Sequence, residues 1–171
     1  MTIALREIST DARTVRNLFA AYPSGVTAIC AVVDGKPVGM AASSFTSVSI
    51  EPPLVSICIQ TNSTTWPSLR QCRKLGVSVL AANQDNECRQ LSAKGVDRFD
   101  QVEWKTTEDD AVLIANAASM LECSIETEIE AGDHLIVLLR IHRYGTSNDI
   151  EPLVFHGGRF RELLLETSAV G

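Results

Sequence analysis

The apolar positions of this chain recur at two spacings, and the switches between them mark most of the element boundaries. Asp11 to Tyr22 places Val15, Leu18 and Phe19 at helical spacing, with Thr10 ahead as a cap and Pro23 just beyond. A helix that packs on a sheet is expected there. Gly25 to Val33 is apolar and rich in β-branched residues, and Asp34-Gly35 signals a tight turn into a second strand from Pro37 to Phe45. Leu54 to Ile59 and Leu75 to Ala81 read as the next strands, with short helices at Trp66 to Cys72 and Gln84 to Lys94. Gly95 to Phe99 then opens a loop toward Trp104.

The segment Ala117 to Glu130 alternates. Met120, Glu122, Ser124, Glu126, Glu128 and Glu130 share one side, and Leu121, Cys123, Ile125, Thr127 and Ile129 share the other. This pattern predicts a long strand with one wet face. Gly132-Asp133-His134 turns the chain, and Leu135 to Tyr144 returns as an antiparallel partner. Leu153 to His156 is a last strand, followed by Gly157-Gly158-Arg159-Phe160 and a short apolar tail. Six or seven strands joined by hairpins rather than long crossover helices argue for a mainly β fold, an antiparallel barrel with short peripheral helices.

Composition narrows the function. A chain of 171 residues suits a single domain, residues 1–171, with one hydrophobic core. The net charge of −6, without a run of Lys or Arg, argues against nucleic acid or an anionic membrane and for small-molecule partners. The N-terminus lacks the apolar core of a signal peptide and no window approaches a membrane span, so a cytoplasmic location is expected. The five cysteines, Cys30, Cys58, Cys72, Cys88 and Cys123, lack close pairs, which suits reduced thiols rather than disulfides or zinc ligands. Cys30, Cys58 and Cys123 lie in apolar runs and read as small core residues in preference to redox groups.

Candidate chemistry concentrates between Pro37 and Ile59, where Gly, Ala, Ser and Thr leave backbone open to a flat ligand. Ser63, Thr64 and Thr65 precede a helix, where they either cap it or hold a phosphate on its free N–H groups. No Gly-x-Gly-x-x-Gly follows a strand, so a dinucleotide would not bind in the Rossmann manner. No nucleophile, base and orienting group form a recognisable set, and no metal-ligand spacing occurs.

Six segments together resemble the flavin reductase family of the FMN-binding split barrel. They are Tyr22-Pro-Ser-Gly-Val-Thr, Pro37 through Val55, Asn62-Ser-Thr-Thr, Asp97-Arg-Phe, Gly132-Asp-His and Gly157-Gly-Arg-Phe. Each is weak alone, but six in the family's order are strong. The resemblance implies a homodimeric, six- to seven-stranded antiparallel Greek-key split β-barrel with flavin across strands two and three near the subunit interface. It places Pro37, Val38, Gly39, Met40 and Ala41, with Ser43 and Ser44, under the isoalloxazine, and Cys58, Ile59 and Gln60 on the next contacting strand. Ser63, Thr64 and Thr65 fall at the flavin phosphate, which moves that segment from capping to binding. Gln90 and Leu91 align with a further flavin contact, where an aromatic residue is more usual than Leu91. Arg98 is expected to pair with a pyrophosphate or with Asp97. His134 and the segment His156, Gly157, Gly158 and Arg159 align with positions used toward the nicotinamide nucleotide, while His142 matches no motif.

The activity implied is transfer of hydride from NADH or NADPH to FMN or FAD, supplying reduced flavin to a partner monooxygenase. His134 is the candidate catalytic residue, and no general base is required because the nucleotides carry the chemistry. The alternatives are a flavoprotein that reduces another acceptor, such as a ferric chelate, a quinone or cobalamin, and a non-catalytic flavin-binding redox module.

Overall fold

Asp34 and Gly35 both adopt positive φ, 49° and 75°, so the chain reverses in two residues and the strands on either side pair from Val33↔Lys36 through Thr27↔Ala42. In the computed structural model, which describes residues 3–164, this hairpin joins β2 (Thr27–Val33) to β3 (Lys36–Ala42). Ahead of it lie α1 (Ala12–Phe19) and the short β1 (Ser24–Gly25). After it come β4 (Thr46–Ser49), β5 (Leu54–Gln60), α2 (Trp66–Leu69), β6 (Leu75–Val79) and α3 (Asp85–Ser92). Then follow β7 (Trp104–Thr106), β8 (Val112–Ile114), β9 (Ser119–Ala131), β10 (His134–Thr146), β11 (Val154–His156) and β12 (Arg159–Arg161).

The fold is mainly β, with every pairing antiparallel and short helices between strands. The main sheet has seven strands in the order β3-β2-β6-β9-β10-β5-β4, and β1, β11 and β12 form a second sheet. The hairpin β7–β8 lies over β6, close enough that a Cβ on Gly76 would fall 1.9 Å from Val112 O. No helix among the described residues is long and apolar enough to cross a membrane.

β2 explains why its sequence is an unbroken apolar run. Ile29 and Ala31 enter one core with Ile57, Leu75, Val77, Val137 and Leu139, while Ala28 and Cys30 enter a second with Leu80, Leu91, Val112 and Ile114. A strand covered on both faces has no wet positions to alternate. Each fully buried Ile or Leu in these cores contributes roughly 1.5–3 kcal/mol.

Four sequence expectations change. The first helix is capped by Asp11, whose carboxylate accepts from Thr14 N at 2.8 Å, and it buries none of its residues; Leu18 and Phe19 remain 59% and 69% exposed. β4 was invisible because Thr46, Ser47 and Ser49 carry little apolar signal on a sheet edge. Glu122 is buried, 3% exposed, because β8 covers the face that the alternation assigns to water. Cys58 is exposed rather than core, because its side of β5 faces an open cleft. The apolar tail beyond Leu164 lies outside the described residues.

Candidate active site

The end of β3 is stapled to β5 by one hydroxyl. Ser44 Oγ accepts from Cys58 N at 2.8 Å and donates to Cys58 O at 3.2 Å, so the short link Ser43–Phe45 is held against its neighbour. Between them opens a cleft of ≈ 410 Å³, floored by Met40, Ala41, Ala42, Ser43 and Ser44 on one side and Cys58, Ile59 and Gln60 on the other. With side chains this small, backbone forms much of the wall, which suits a flat ligand.

The turn from Asn62 to Thr65 closes one end. Ser63 Oγ accepts from Thr65 N and Trp66 N at 3.3 and 3.2 Å and so holds the turn into the helix, whose N-cap residue is Thr65, not Ser63 or Thr64, and makes no side-chain capping bond. Trp66 Nε1 donates to Glu128 Oε1 at 2.9 Å and Arg70 pairs with the same carboxylate, which fixes α2 and with it the turn. Asn62 and Thr64 make no side-chain hydrogen bond among the described residues, so their polar groups are free to meet a ligand.

The loop after α3 brings cations to the same end. Arg98 donates from Nε to Ala93 O at 2.7 Å and from Nη1 to Gly39 O at 2.9 Å and Thr65 Oγ1 at 2.8 Å. All three acceptors are neutral, and among the described residues no carboxylate pairs with it. Asp97 instead accepts from Phe99 N at 2.9 Å, so of the two partners expected for Arg98, a pyrophosphate or Asp97, the second is not made. Lys94 lines the cleft beside Arg98. This corner is therefore positive in a chain whose net charge is −6.

His134 reaches the cleft from the start of β10, where it pairs with Gln60 across β5. Its Nδ1 lies 2.7 Å from Asp133 Oδ1, and this hydrogen bond holds the Asp133 carboxyl below the usual carboxylate range. The turn is anchored by Thr61, whose amide and hydroxyl both donate to Asp133 O, at 3.0 and 3.2 Å. Hydrogen bonding at Nδ1 fixes the ring's orientation and leaves Nε2 for a ligand. Among the described residues no group of His, Cys, Asp and Glu is arranged to hold a metal.

The model of the flavin reductase like domain matches residues 19–164, which include every residue of this cleft. The chain belongs to that family. Among relatives, an NADH-dependent FAD reductase of Streptomyces globisporus is 40% identical over 156 residues, covering 88% of this chain and 85% of that protein. A flavin reductase of Pseudomonas putida is 32% identical, covering 88% of this chain and 89% of that one. A Rhizobium meliloti relative, 35% identical over 138 residues, is longer, and the match spans 80% of this chain but 44% of that protein. Among solved structures, the NADH:FAD oxidoreductase SgcE6 of Streptomyces globisporus, in complex with NAD and FAD fragments, superposes with a TM-score of 0.89 at 38% identity. That match covers 96% of this chain and 99% of SgcE6.

In this flavin reductase family member the cleft gathers many of the residues that the sequence singles out. Met40, Ala41, Ser43, Ser44, Cys58, Ile59, Gln60, Ser63, Thr64, Thr65, Leu91, Arg98 and His134 all line it. Pro37, Val38 and Gly39 line an adjoining recess of ≈ 280 Å³ that shares Thr64, Thr65 and Arg98 with the cleft. Gln90 does not line the cleft, because its amide turns away to donate to Asp97 O at 2.7 Å. His156, Gly157, Gly158 and Arg159 do not line it either, since they form the turn of the β11–β12 hairpin. Ala42, Asn62, Ser92 and Lys94 line the cleft and were missed. Ala42 and Asn62 adjoin named residues, but Ser92 and Lys94 reach the site only through the way α3 packs on β3.

Proposed function

We propose that this protein is an NAD(P)H-dependent flavin reductase that reduces FMN or FAD and supplies the reduced flavin to a partner monooxygenase. The observation that carries the reading is Arg98, a cation fixed on neutral acceptors at one end of a flat bed of small residues. Its guanidinium, Lys94 and the free groups of Asn62 and Thr64 would hold the flavin phosphate. Backbone at Met40 to Ser44 and at Cys58 to Gln60 would carry the ring system, with Pro37, Val38 and Gly39 flanking it.

When both nucleotides are bound, the chemistry they supply is hydride transfer from nicotinamide to flavin, with one proton taken up from solvent. The chain's part is positional. His134, oriented by Asp133, presents its free ring nitrogen at the open side of the cleft, where it would orient the nicotinamide or stabilise developing negative charge. The segment His156 to Arg159 would approach the nicotinamide nucleotide from the adjoining hairpin. The names of the relatives, which include an NADH-dependent FAD reductase and reductase subunits of flavin-dependent monooxygenases, support both the donor and the destination of the reduced flavin.

The same reading holds residues 1–171 to be one domain in which the seven-stranded sheet curls into a Greek-key split barrel. The Ser44–Cys58 bridge, which draws the end of one edge strand onto β5, supports that closure. It also holds the protein to be cytoplasmic, and to be a homodimer because Ile3, Leu5, Ile8, Leu18, Phe19 and Tyr22 leave apolar side chains uncovered on one protomer. The decisive experiment follows NADH absorbance in the near ultraviolet with and without added FMN or FAD. Oxidation that requires added flavin supports the reading, and none with either flavin would overturn it.

A further inference from the structure

Among the described residues Glu122 is the one charged side chain that is buried, 3% exposed, and its Oε2 has no hydrogen-bond partner. It stands on β9 opposite Gly76 of β6 on one side and Arg143 of β10 on the other. The lack of a Cβ at Gly76 lets β8 lie over this face. A bulge between Ile141 and Arg143 then shifts β10 so that Arg143, not His142, comes opposite the carboxylate. Neither Arg143 nor any other cation of the described residues forms an ion pair with Glu122. Glu122 lines a cavity of ≈ 210 Å³ with Thr107, Leu113, Met120, Arg143, Tyr144 and Gly145, and none of these residues belongs to the cleft of the candidate active site. Arg143 and Tyr144 are exposed and form the mouth, while Leu113 and Met120 are half-buried behind them.

A buried carboxylate without a partner is costly, and a cation that brings N–H donors removes the cost. A metal ion does not suit this place. Among the described residues no group of three His, Cys, Asp or Glu is arranged to ligate one, and the walls at Leu113 and Met120 cannot replace its water. A compact ammonium on a short apolar stem suits both features of the cavity. Its donors would meet Glu122, and its stem would lie against Leu113, Met120 and the Tyr144 ring. We infer that this cavity is a binding site for a small molecule carrying a primary ammonium group, which Glu122 holds. The ammonium comes from one of two sources, a simple alkyl amine or an α-amino acid, and Arg143 at the mouth would take the carboxylate of the second. The site stands or falls separately from the flavin reductase reading, since it shares no residue with the cleft.

The test uses the full chain and three probes with one stem: pentylammonium, norleucine, which adds a carboxylate to it, and n-pentanol, which lacks the charge. Calorimetry and the rise in Tm on adding ligand both read binding without turnover. The wild type should bind at least one ammonium probe in the millimolar range. Glu122→Gln, which keeps the shape and removes the charge, should bind it about tenfold or more weakly. A Cβ on Gly145 meets only Met120 Cε, at 3.9 Å, so Gly145→Val fills the cavity without a backbone clash and should abolish binding. Tighter binding of pentylammonium assigns the site to an amine. Tighter binding of norleucine assigns it to an amino acid, and Arg143→Ala should then remove the preference. No binding of either ammonium up to about 10 mM overturns the site, as does equal binding by the wild type and either Glu122→Gln or Gly145→Val. Binding of n-pentanol as tight as that of pentylammonium overturns it too. So does pentylammonium binding about tenfold tighter in Arg143→Ala than in the wild type, which would make Arg143 the native partner of Glu122.

Discussion

Arg98 Nη1 donates to Thr65 Oγ1 at 2.8 Å, and through that bond a loop cation is locked onto the turn that ends the cleft. With Ala93 O and Gly39 O also engaged, the guanidinium has lost its rotamer freedom before any ligand arrives. Hydrogen bonds to charged groups are worth about 1.5–3 kcal/mol, or roughly tenfold to a hundredfold in affinity. Arg98→Ala should weaken FMN binding by that factor and riboflavin, which lacks the phosphate, much less. Arg98→Lys should fall between, since it keeps the charge but not the planar fork. Fluorescence titration of both flavins measures this, and an equal loss for riboflavin would remove phosphate from the assignment.

His134 makes a different contribution. Its ring is held by Asp133 on one side and faces the cleft on the other. His134→Ala should lower NADH-dependent flavin reduction by a factor on the order of ten or more while leaving FMN affinity unchanged. Asp133→Asn, which keeps a side chain able to accept from Nδ1, should cost less than His134→Ala. Unchanged turnover and KM for NADH in His134→Ala would sink the assignment.

The apolar residues of the N-terminal region test the assembly. Leu5 is 89% exposed, and Leu18 and Phe19 stand on the outer side of α1. Light scattering should find a dimer for the wild type and a monomer for the double variant Leu18→Glu with Phe19→Glu, whose charges cannot enter an apolar interface. A monomeric wild type at micromolar concentration would end the homodimer reading.

The strands that pack were legible because burial writes itself into side-chain type: β2, β5, β6, β9 and β10 all announce themselves as apolar or alternating runs. The elements that escaped are those whose reason is tertiary. β4 and β7 are short and poor in buried residues, and Glu122 is dry only because β8 lies over it. The site divides in the same way. The small-residue bed is continuous in sequence and could be read there, whereas Lys94 and Ser92 reach the cleft by the docking of α3. Arg98 was legible as a cation near the site, but its choice of neutral partners over Asp97 depends on distances that no spacing rule encodes.

His142 carries a pH dependence. The ring stands on the exposed end of β10, where slight desolvation, followed by the nearby Lys74, holds its imidazole below the ordinary 6.5, and Ser124 Oγ lies 2.7 Å from Nε2. The surrounding groups are mixed: Lys74 and Arg140 disfavour the charged ring, while Glu122 and Asp109 favour it. A depressed folded value means that the unfolded chain binds more protons below pH 6.5, so the stability from neutral His142 is present above 6.5 and lost as pH falls toward the folded value. Because the ring is exposed and solvent screens it, the effect is small: thermal melts should show a slight decline in Tm below pH 6.5 in the wild type and a flatter profile in His142→Gln. Parallel profiles would remove His142 as the source.

Gly39 and Cys30 face each other across the β2–β3 hairpin, and a Cβ on Gly39 would lie 2.4 Å from Cys30 Sγ and 3.0 Å from Ile29 O. Gly39→Ala should therefore destabilise the protein by about 1–3 kcal/mol through overpacking. Burial pushes the Cys30 thiol up to about 12, so it is neutral and its removal changes volume without changing charge. Cys30→Ala alone leaves a small cavity, but combined with Gly39→Ala it clears the sulfur from the new methyl's path. The double variant should consequently be more stable than the sum of the two single losses implies. The relief is partial, because Ile29 O does not move with the sulfur. Urea unfolding at constant m gives the three values. Additivity within about 0.5 kcal/mol would show that the strain lies against the backbone rather than the thiol.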